Sequence, residues 1–187
     1  MNIPNALTMF RVALIPVFII VYYLPFTWSN QLACAVYTLA ALTDLFDGYL
    51  ARKLGQISKL GEFMDPVADK LMVVIALVLL VANDPRLIMV IPAAVIIGRE
   101  ITVSALREWM AEIGARSRVA VSIYGKIKTT AQMVALILLI YEEELLGFPM
   151  YNAGLVFLYI ATTLTLLSFY QYITSAWPKL RESKTKQ

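Results

Sequence analysis

Six apolar stretches, at about 12–26, 31–50, 65–82, 86–107, 127–141 and 153–175, occupy most of this 187-residue chain. Each approaches the roughly 20 residues an α-helix needs to cross about 30 Å of hydrocarbon. Backbone in lipid must satisfy its own hydrogen bonds, so apolar stretches of this length are read as helical spans. Between them stand helix-ending combinations: Pro25 with Ser29-Asn30, Asn83-Asp84-Pro85, and Gly147-Phe148-Pro149. The pattern predicts an all-α, polytopic membrane protein with six transmembrane helices. Residues 1–178 are expected to form one domain and 179–187 a short polar tail. Composition agrees, because 60% hydrophobic residues and a mean hydropathy of +0.72 exceed what a soluble core of this size requires. Cys34 is the single cysteine, so no internal disulfide can form. With no histidine present, proton transfer near neutral pH falls to carboxylates, Lys, Tyr, Cys34 or water.

Charge placement sets the expected orientation. If the N-terminus is cytoplasmic, all 16 lysines and arginines except Arg86 lie at or near the cytoplasmic side, as the positive-inside rule requires. Asp84 and the run Glu142-Glu143-Glu144 then fall outside, and both termini fall inside. Trp28 sits at the outer interface and Trp109 and Trp177 at the inner one. No small-residue cleavage site follows the first apolar run, which is therefore read as a retained helix.

The segment DLFDGYLARKLGQISKLGEFMDPVADK, residues 44–70, then becomes informative. It brings Asp44, Asp47, Asp65 and Asp69 to the cytoplasmic ends of the second and third spans. Acidic residues next to apolar spans are expensive and mark function. Spacings of three and four residues put each pair on one helix face. Four facing carboxylates repel unless cations separate them, and hard divalent cations with oxygen ligands suit that place. Gly48, Ala51 and Gly55 leave the first pair without bulk beside it, and Arg52 adds a phosphate-binding fork. Capping of the third helix by Asp65-Pro66 is compatible with this role but does not explain Asp69, one turn further in. The arrangement points to a metal-bridged diphosphate.

Residues 44–69 read D-x2-D-G-x2-A-R-x8-G-x3-D-x3-D. This long, gapped pattern resembles the complete motif of the CDP-alcohol phosphotransferase family, matching at Asp44, Asp47, Gly48, Ala51, Arg52, Gly61, Asp65 and Asp69. The stretches NIPNALTMFRV, GREITVSALREWMAEIG and GKIKTTAQM extend the likeness over nearly the whole chain, towards bacterial members whose acceptor is sn-glycerol 3-phosphate. The resemblance implies transfer of a phosphatidyl group from CDP-diacylglycerol to an alcohol, with release of CMP. It further implies two divalent cations, Mg²⁺ or Mn²⁺, a homodimer, and a place in the bacterial inner membrane with the site on its cytoplasmic face. Asp44, Asp47 and Asp65 would be metal ligands, and Asp69 both a ligand and the general base. Gly48, Ala51, Arg52 and Gly61, with Asp44, would line the CDP-diacylglycerol site. An aspartate, with an ordinary pKa of ~3.9, is ionised at neutral pH and serves as a base when well placed.

A second, basic cluster bears on the acceptor: Arg99, Arg107, Arg116, Arg118, Lys126 and Lys128. Positive-inside charge accounts for Arg116 and much of the remainder. Arg99, however, is embedded in an apolar helix with Glu100 as its nearest acid. Arg99, Arg107, Lys126 and Lys128 are the expected ligands of an acceptor phosphate. This suits a phosphorylated acceptor and disfavours serine, and the resemblance points to glycerol 3-phosphate, with inositol phosphate and phosphatidylglycerol as the alternative acceptors. A divalent-cation transporter is the reading from a different class, but segment three is uncharged from Leu71 to Ala82 and the charged groups gather at one membrane face. At the N-terminus, Ile3, Leu7 and Phe10 share one helical face, and Asn5, Thr8 and Arg11 share another. A short interfacial helix is expected there. Its polar face either reaches the diphosphate, with Thr8 as the contact, or simply anchors the chain.

Overall fold

The computed structural model describes the backbone of residues 3–54, 59–112, 123–145 and 147–184, and the side chains of 6–43, 64, 67–110, 127–145 and 147–174. Among the described residues there are six helices: α1 (Ile3–Tyr22), α2 (Ser29–Leu54), α3 (Lys59–Asn83), α4 (Leu87–Glu112), α5 (Ile123–Tyr141) and α6 (Met150–Lys184). A two-residue antiparallel ladder, β1 (Glu144–Leu145) with β2 (Phe148–Pro149), turns the chain from α5 into α6 through Gly147 at φ 79°. The protein is thus helical, as the apolar periodicity requires.

Three boundaries differ from expectation. No separate interfacial helix precedes the first span; α1 runs unbroken from Ile3 to Tyr22 and carries Pro16 inside it. Nothing between Thr8 and Leu14 breaks a helix, so the amphipathic start and the apolar remainder form one rod. The polar stretch after the second segment is also helical up to Leu54 and again from Lys59. At the other terminus, α6 continues through residue 178 to Lys184. Hydropathy marks the slab a helix crosses, whereas the helix itself ends where hydrogen bonding or chain geometry stops it.

The centre of the bundle is built by Phe18, Tyr37, Leu77, Met89, Ile96, Leu136 and Leu158, all essentially fully buried. Phe18 meets Tyr37 at a ring-centroid separation of 5.8 Å, locking α1 onto α2. The outer surface is apolar as well, with Ile20, Leu87, Ile101, Val156 and Tyr170 all exposed. Two helices are long and apolar enough to cross a membrane by length and composition: Leu87–Met110 and Met150–Thr174, with mean hydropathies of 1.8 and 1.7. In the most apolar 18-residue window of each, only 28% is buried. A soluble protein would cover such helices; lipid is the solvent that tolerates them bare. The chain is an integral membrane protein.

Where α5 crosses α6 the backbones nearly touch. A Cβ built on Gly154 would lie 2.7 Å from Leu139 Cγ and 3.0 Å from its backbone nitrogen. Small residues at such crossings let helices pack when water supplies no driving force between them. Gly154→Ala should therefore destabilise the protein by about 1–3 kcal/mol, the usual cost of overpacking. Thermal unfolding in detergent should show a lowered midpoint; an unchanged midpoint would mean that the helices shift apart freely.

The end of the bundle holding the α3–α4 turn is tied by polar contacts. Glu142, at φ 60°, accepts from Asn30 at 3.2 Å and from Asn83 at 3.3 Å, and Gln31 donates to Glu143. Beside them Arg86 donates to Asp84 through Nε at 2.7 Å and Nη2 at 2.9 Å, while the Tyr151 hydroxyl donates to the same carboxylate. The Arg86 bonds, followed by that of Tyr151, hold the Asp84 carboxyl well below its ordinary 3.8. A depressed folded-state pKa contributes stability that is present above about pH 4 and is lost as pH falls towards the folded value. Melting in detergent from pH 6 down to pH 2 should show this loss, and Asp84→Asn should flatten that part of the profile.

Candidate active site

Opposite that tied end, α2 finishes and α3 begins. Asp44, Asp47, Gly48, Ala51 and Arg52 lie on the last turns of α2, and Gly61 and Asp65 on the first turns of α3. The side chains of these seven residues, and that of Lys126 in the first turn of α5, lie outside the described residues. The expected metal cluster therefore falls largely outside them too; among the described residues no group of three or more potential ligands gathers.

Asp69 is described, and its setting is specific. It forms an ion pair with Arg11 of α1, whose side chain is buried whereas that of Asp69 is 42% exposed. Thr8, one helical turn before Arg11, is also buried. The polar face of the N-terminal segment thus turns into the bundle, and Arg11 is not the surface anchor that its charge suggests. Sequence reading left Arg11 out of the site; its signal was the spacing with Thr8 together with the cost of a guanidinium in an otherwise apolar helix.

A cavity of about 100 Å³ opens beside this pair. Arg11, Asp69, Thr129 and Gln132 supply its polar wall, and Tyr37, Ala40, Ala41, Met72, Val73 and Met133 the rest. Thr129 and Gln132 sit three residues apart on α5, so one helix face delivers both. Gln132 is only 6% exposed.

The basic residues are brought together in part. Glu100 lies between Arg99 and Lys128, accepting from Arg99 Nη1 at 2.8 Å and from Lys128 Nζ at 2.6 Å, both on Oε1. Arg99 also reaches Ser168 on α6 at 3.4 Å, and among the described residues its buried Nε has no hydrogen-bond partner. Lys70, next to Asp69, donates to Ser104 at 2.5 Å, and Ser104 donates to the Glu100 carbonyl at 2.6 Å. Lys128 and Gln132 are one turn apart on α5, which sets this charged triad beside the cavity. Arg107, two turns beyond Arg99, is exposed and stands outside the triad. Sequence reading identified Glu100 as a neighbour but missed its bridging position, which depends on how α4 meets α5.

A family model for CDP-alcohol phosphatidyltransferase matches residues 1–167. The chain belongs to the CDP-alcohol phosphatidyltransferase family. Within this family it is similar to proteins named CDP-diacylglycerol–glycerol-3-phosphate 3-phosphatidyltransferase. The one from Pectobacterium atrosepticum is 51% identical, covering 97% of this chain and 98% of its own. That from Pseudomonas fluorescens is 52% identical, covering 100% of this chain and 96% of its own. That from Yersinia enterocolitica is 50% identical, covering 97% and 98%. Membership in the CDP-alcohol phosphatidyltransferase family makes the chain an enzyme and gives the aspartate-bearing end of the bundle its meaning.

Proposed function

We propose that the chain transfers the phosphatidyl group of CDP-diacylglycerol to sn-glycerol 3-phosphate, giving phosphatidylglycerophosphate and CMP. The observation that carries this reading is end-to-end similarity to relatives named for that transfer. The setting of Asp69 supports it: a partly open carboxylate at a small polar cavity, with a cationic triad close by.

In the proposed step Asp69 accepts the proton of the acceptor hydroxyl. The hydroxyl oxygen forms a bond to the phosphorus bearing diacylglycerol, and the bond from that phosphorus to the bridging oxygen breaks, the electron pair leaving with CMP. Attack is in line and forms no covalent enzyme intermediate. Arg11 fixes the Asp69 carboxylate from the side away from solvent. Asp44, Asp47, Asp65 and Asp69 would hold two divalent cations, Mg²⁺ or Mn²⁺; an all-carboxylate donor set at three- and four-residue spacing fits hard ions. Such ions supply charge neutralisation to the diphosphate. Thr8, Asp44, Gly48, Ala51, Arg52 and Gly61 are assigned to CDP-diacylglycerol, and Arg99, Arg107, Lys126 and Lys128 to the acceptor phosphate. Glu100 holds Arg99 and Lys128 in one place while leaving the triad a net positive charge.

The same reading places six spans in a bacterial inner membrane, with both termini and the site cytoplasmic, one catalytic domain over 1–178, and a homodimer. It is tested by CMP release from purified protein in detergent, supplied with CDP-diacylglycerol, Mg²⁺ and one acceptor at a time. Release with glycerol 3-phosphate, abolished by a chelator and restored by Mg²⁺, is the expected result. Release only with serine or inositol phosphate would overturn the acceptor, and Mg²⁺ flux into liposomes without CMP release would replace the enzyme by a transporter.

A further inference from the structure

Gln132 is a buried polar group that the proposed chemistry has not used. Its side chain is 94% covered, lines the cavity that Asp69 enters, and hydrogen-bonds to none of the described residues. Its amide is not sealed in the core but opens onto the cavity, where a ligand hydroxyl can meet both its donor and its acceptor. The cavity, at about 100 Å³, far exceeds the roughly 10–15 Å³ that one water requires, and Gln132 shares its polar wall with Arg11, Asp69 and Thr129, facing apolar walls at Ala40, Met72 and Val73.

We propose that Gln132 is a specificity-determining residue that hydrogen-bonds the secondary hydroxyl of the glycerol 3-phosphate acceptor. This rests on the acceptor assigned above. The geometry leads to it in three steps. The attacking primary hydroxyl must lie at Asp69, and the acceptor phosphate belongs with Lys128 and Arg99. Gln132 lies one turn from Lys128 on the same face of α5 and shares the cavity wall with Asp69. The group between a primary hydroxyl and a phosphate in this acceptor is the C2 carbinol. An amide both donates and accepts, which matches a hydroxyl in either orientation. A site that hydrogen-bonds a hydroxyl rejects the analogue lacking it far more strongly than an apolar pocket rejects a missing methylene.

The test compares kcat/KM for glycerol 3-phosphate with that for 3-hydroxypropyl phosphate, the same molecule without the C2 hydroxyl. The wild-type protein should prefer glycerol 3-phosphate by about tenfold to a hundredfold. In Gln132→Leu and Gln132→Met the preference should fall to near one, chiefly through loss of activity on glycerol 3-phosphate. Because the ratio is taken within one preparation, partial misfolding does not affect it. An equal preference in wild type and variants overturns the assignment, as does a wild type with no preference. A variant whose only change is a raised KM for CDP-diacylglycerol also overturns it, by moving Gln132 to the donor. If the wild type uses another acceptor but not glycerol 3-phosphate, the functional reading fails and the assignment with it; if it uses glycerol 3-phosphate and the ratio is unmoved, the assignment alone fails.

Discussion

Asp69→Asn should reduce CMP release by about a thousandfold, within the range for removal of a general acid–base group. The substitution preserves size and shape, and its amide oxygen still accepts from Arg11, so the contact between α1 and α3 survives. What it removes, on the proposed assignment, is the ability to take the acceptor proton and one negative charge of the proposed metal-binding set. The two losses act together and do not add as independent terms. The thermal unfolding midpoint should fall less than activity does: the buried Arg11 guanidinium keeps an acceptor but loses its charge partner, a cost moderated by the partly open Asp69 side chain. Activity within tenfold of wild type would assign the base elsewhere. An equal fall in activity and melting temperature would mean that the ion pair with Arg11 is chiefly structural.

The second large effect is expected at Glu100. Its carboxylate lies between the guanidinium of Arg99 and the ammonium of Lys128, and Lys128 is almost fully buried. Glu100→Gln leaves two cations close together with no intervening charge. Breaking a buried ionic contact by removing one partner costs about 3–5 kcal/mol. Unfolding in detergent should show a loss of this size, and the KM for glycerol 3-phosphate should change because the assigned phosphate ligands lose their anchor. Adding Lys128→Met to Glu100→Gln should restore much of the stability but not the KM, separating the structural cost from the binding role. A stable Glu100→Gln with ordinary KM would show that water or lipid phosphate substitutes for the carboxylate.

The legibility of this chain varied with the physics behind each feature. The helices were evident in the sequence because apolar length is set by membrane thickness, and each of the six helices covers most of one expected segment, although α1 stops at Tyr22, short of the expected 26. Helix ends were less evident, since α2, α3 and α6 continue into polar sequence where hydropathy carries no information. Arg11 stayed undecided between an inward-turned polar face and a surface anchor for a related reason: the positive-inside rule assigns charge to a side of the membrane, not to a face of a helix. Arg99 stood out in the sequence as a charge embedded in an apolar helix, but the carboxylate joining it to Lys128 was visible only once the side chains of α4 and α5 were placed. Gln132 gave no sequence signal, because a glutamine in an apolar helix becomes conspicuous only when its surroundings are known.

The contacts at the far end of the bundle bear on how the helices are held to one another. Glu142 pulls on α2 and α3 at once, Gln31 holds the α5–α6 connection, and Asp84, Arg86 and Tyr151 tie the α3–α4 turn to α6. Arg11 with Asp69, Lys70 with Ser104 and Glu100 with Lys128 cross between helices towards the other end, so the bundle is braced like a ladder with polar rungs at two levels and an apolar middle.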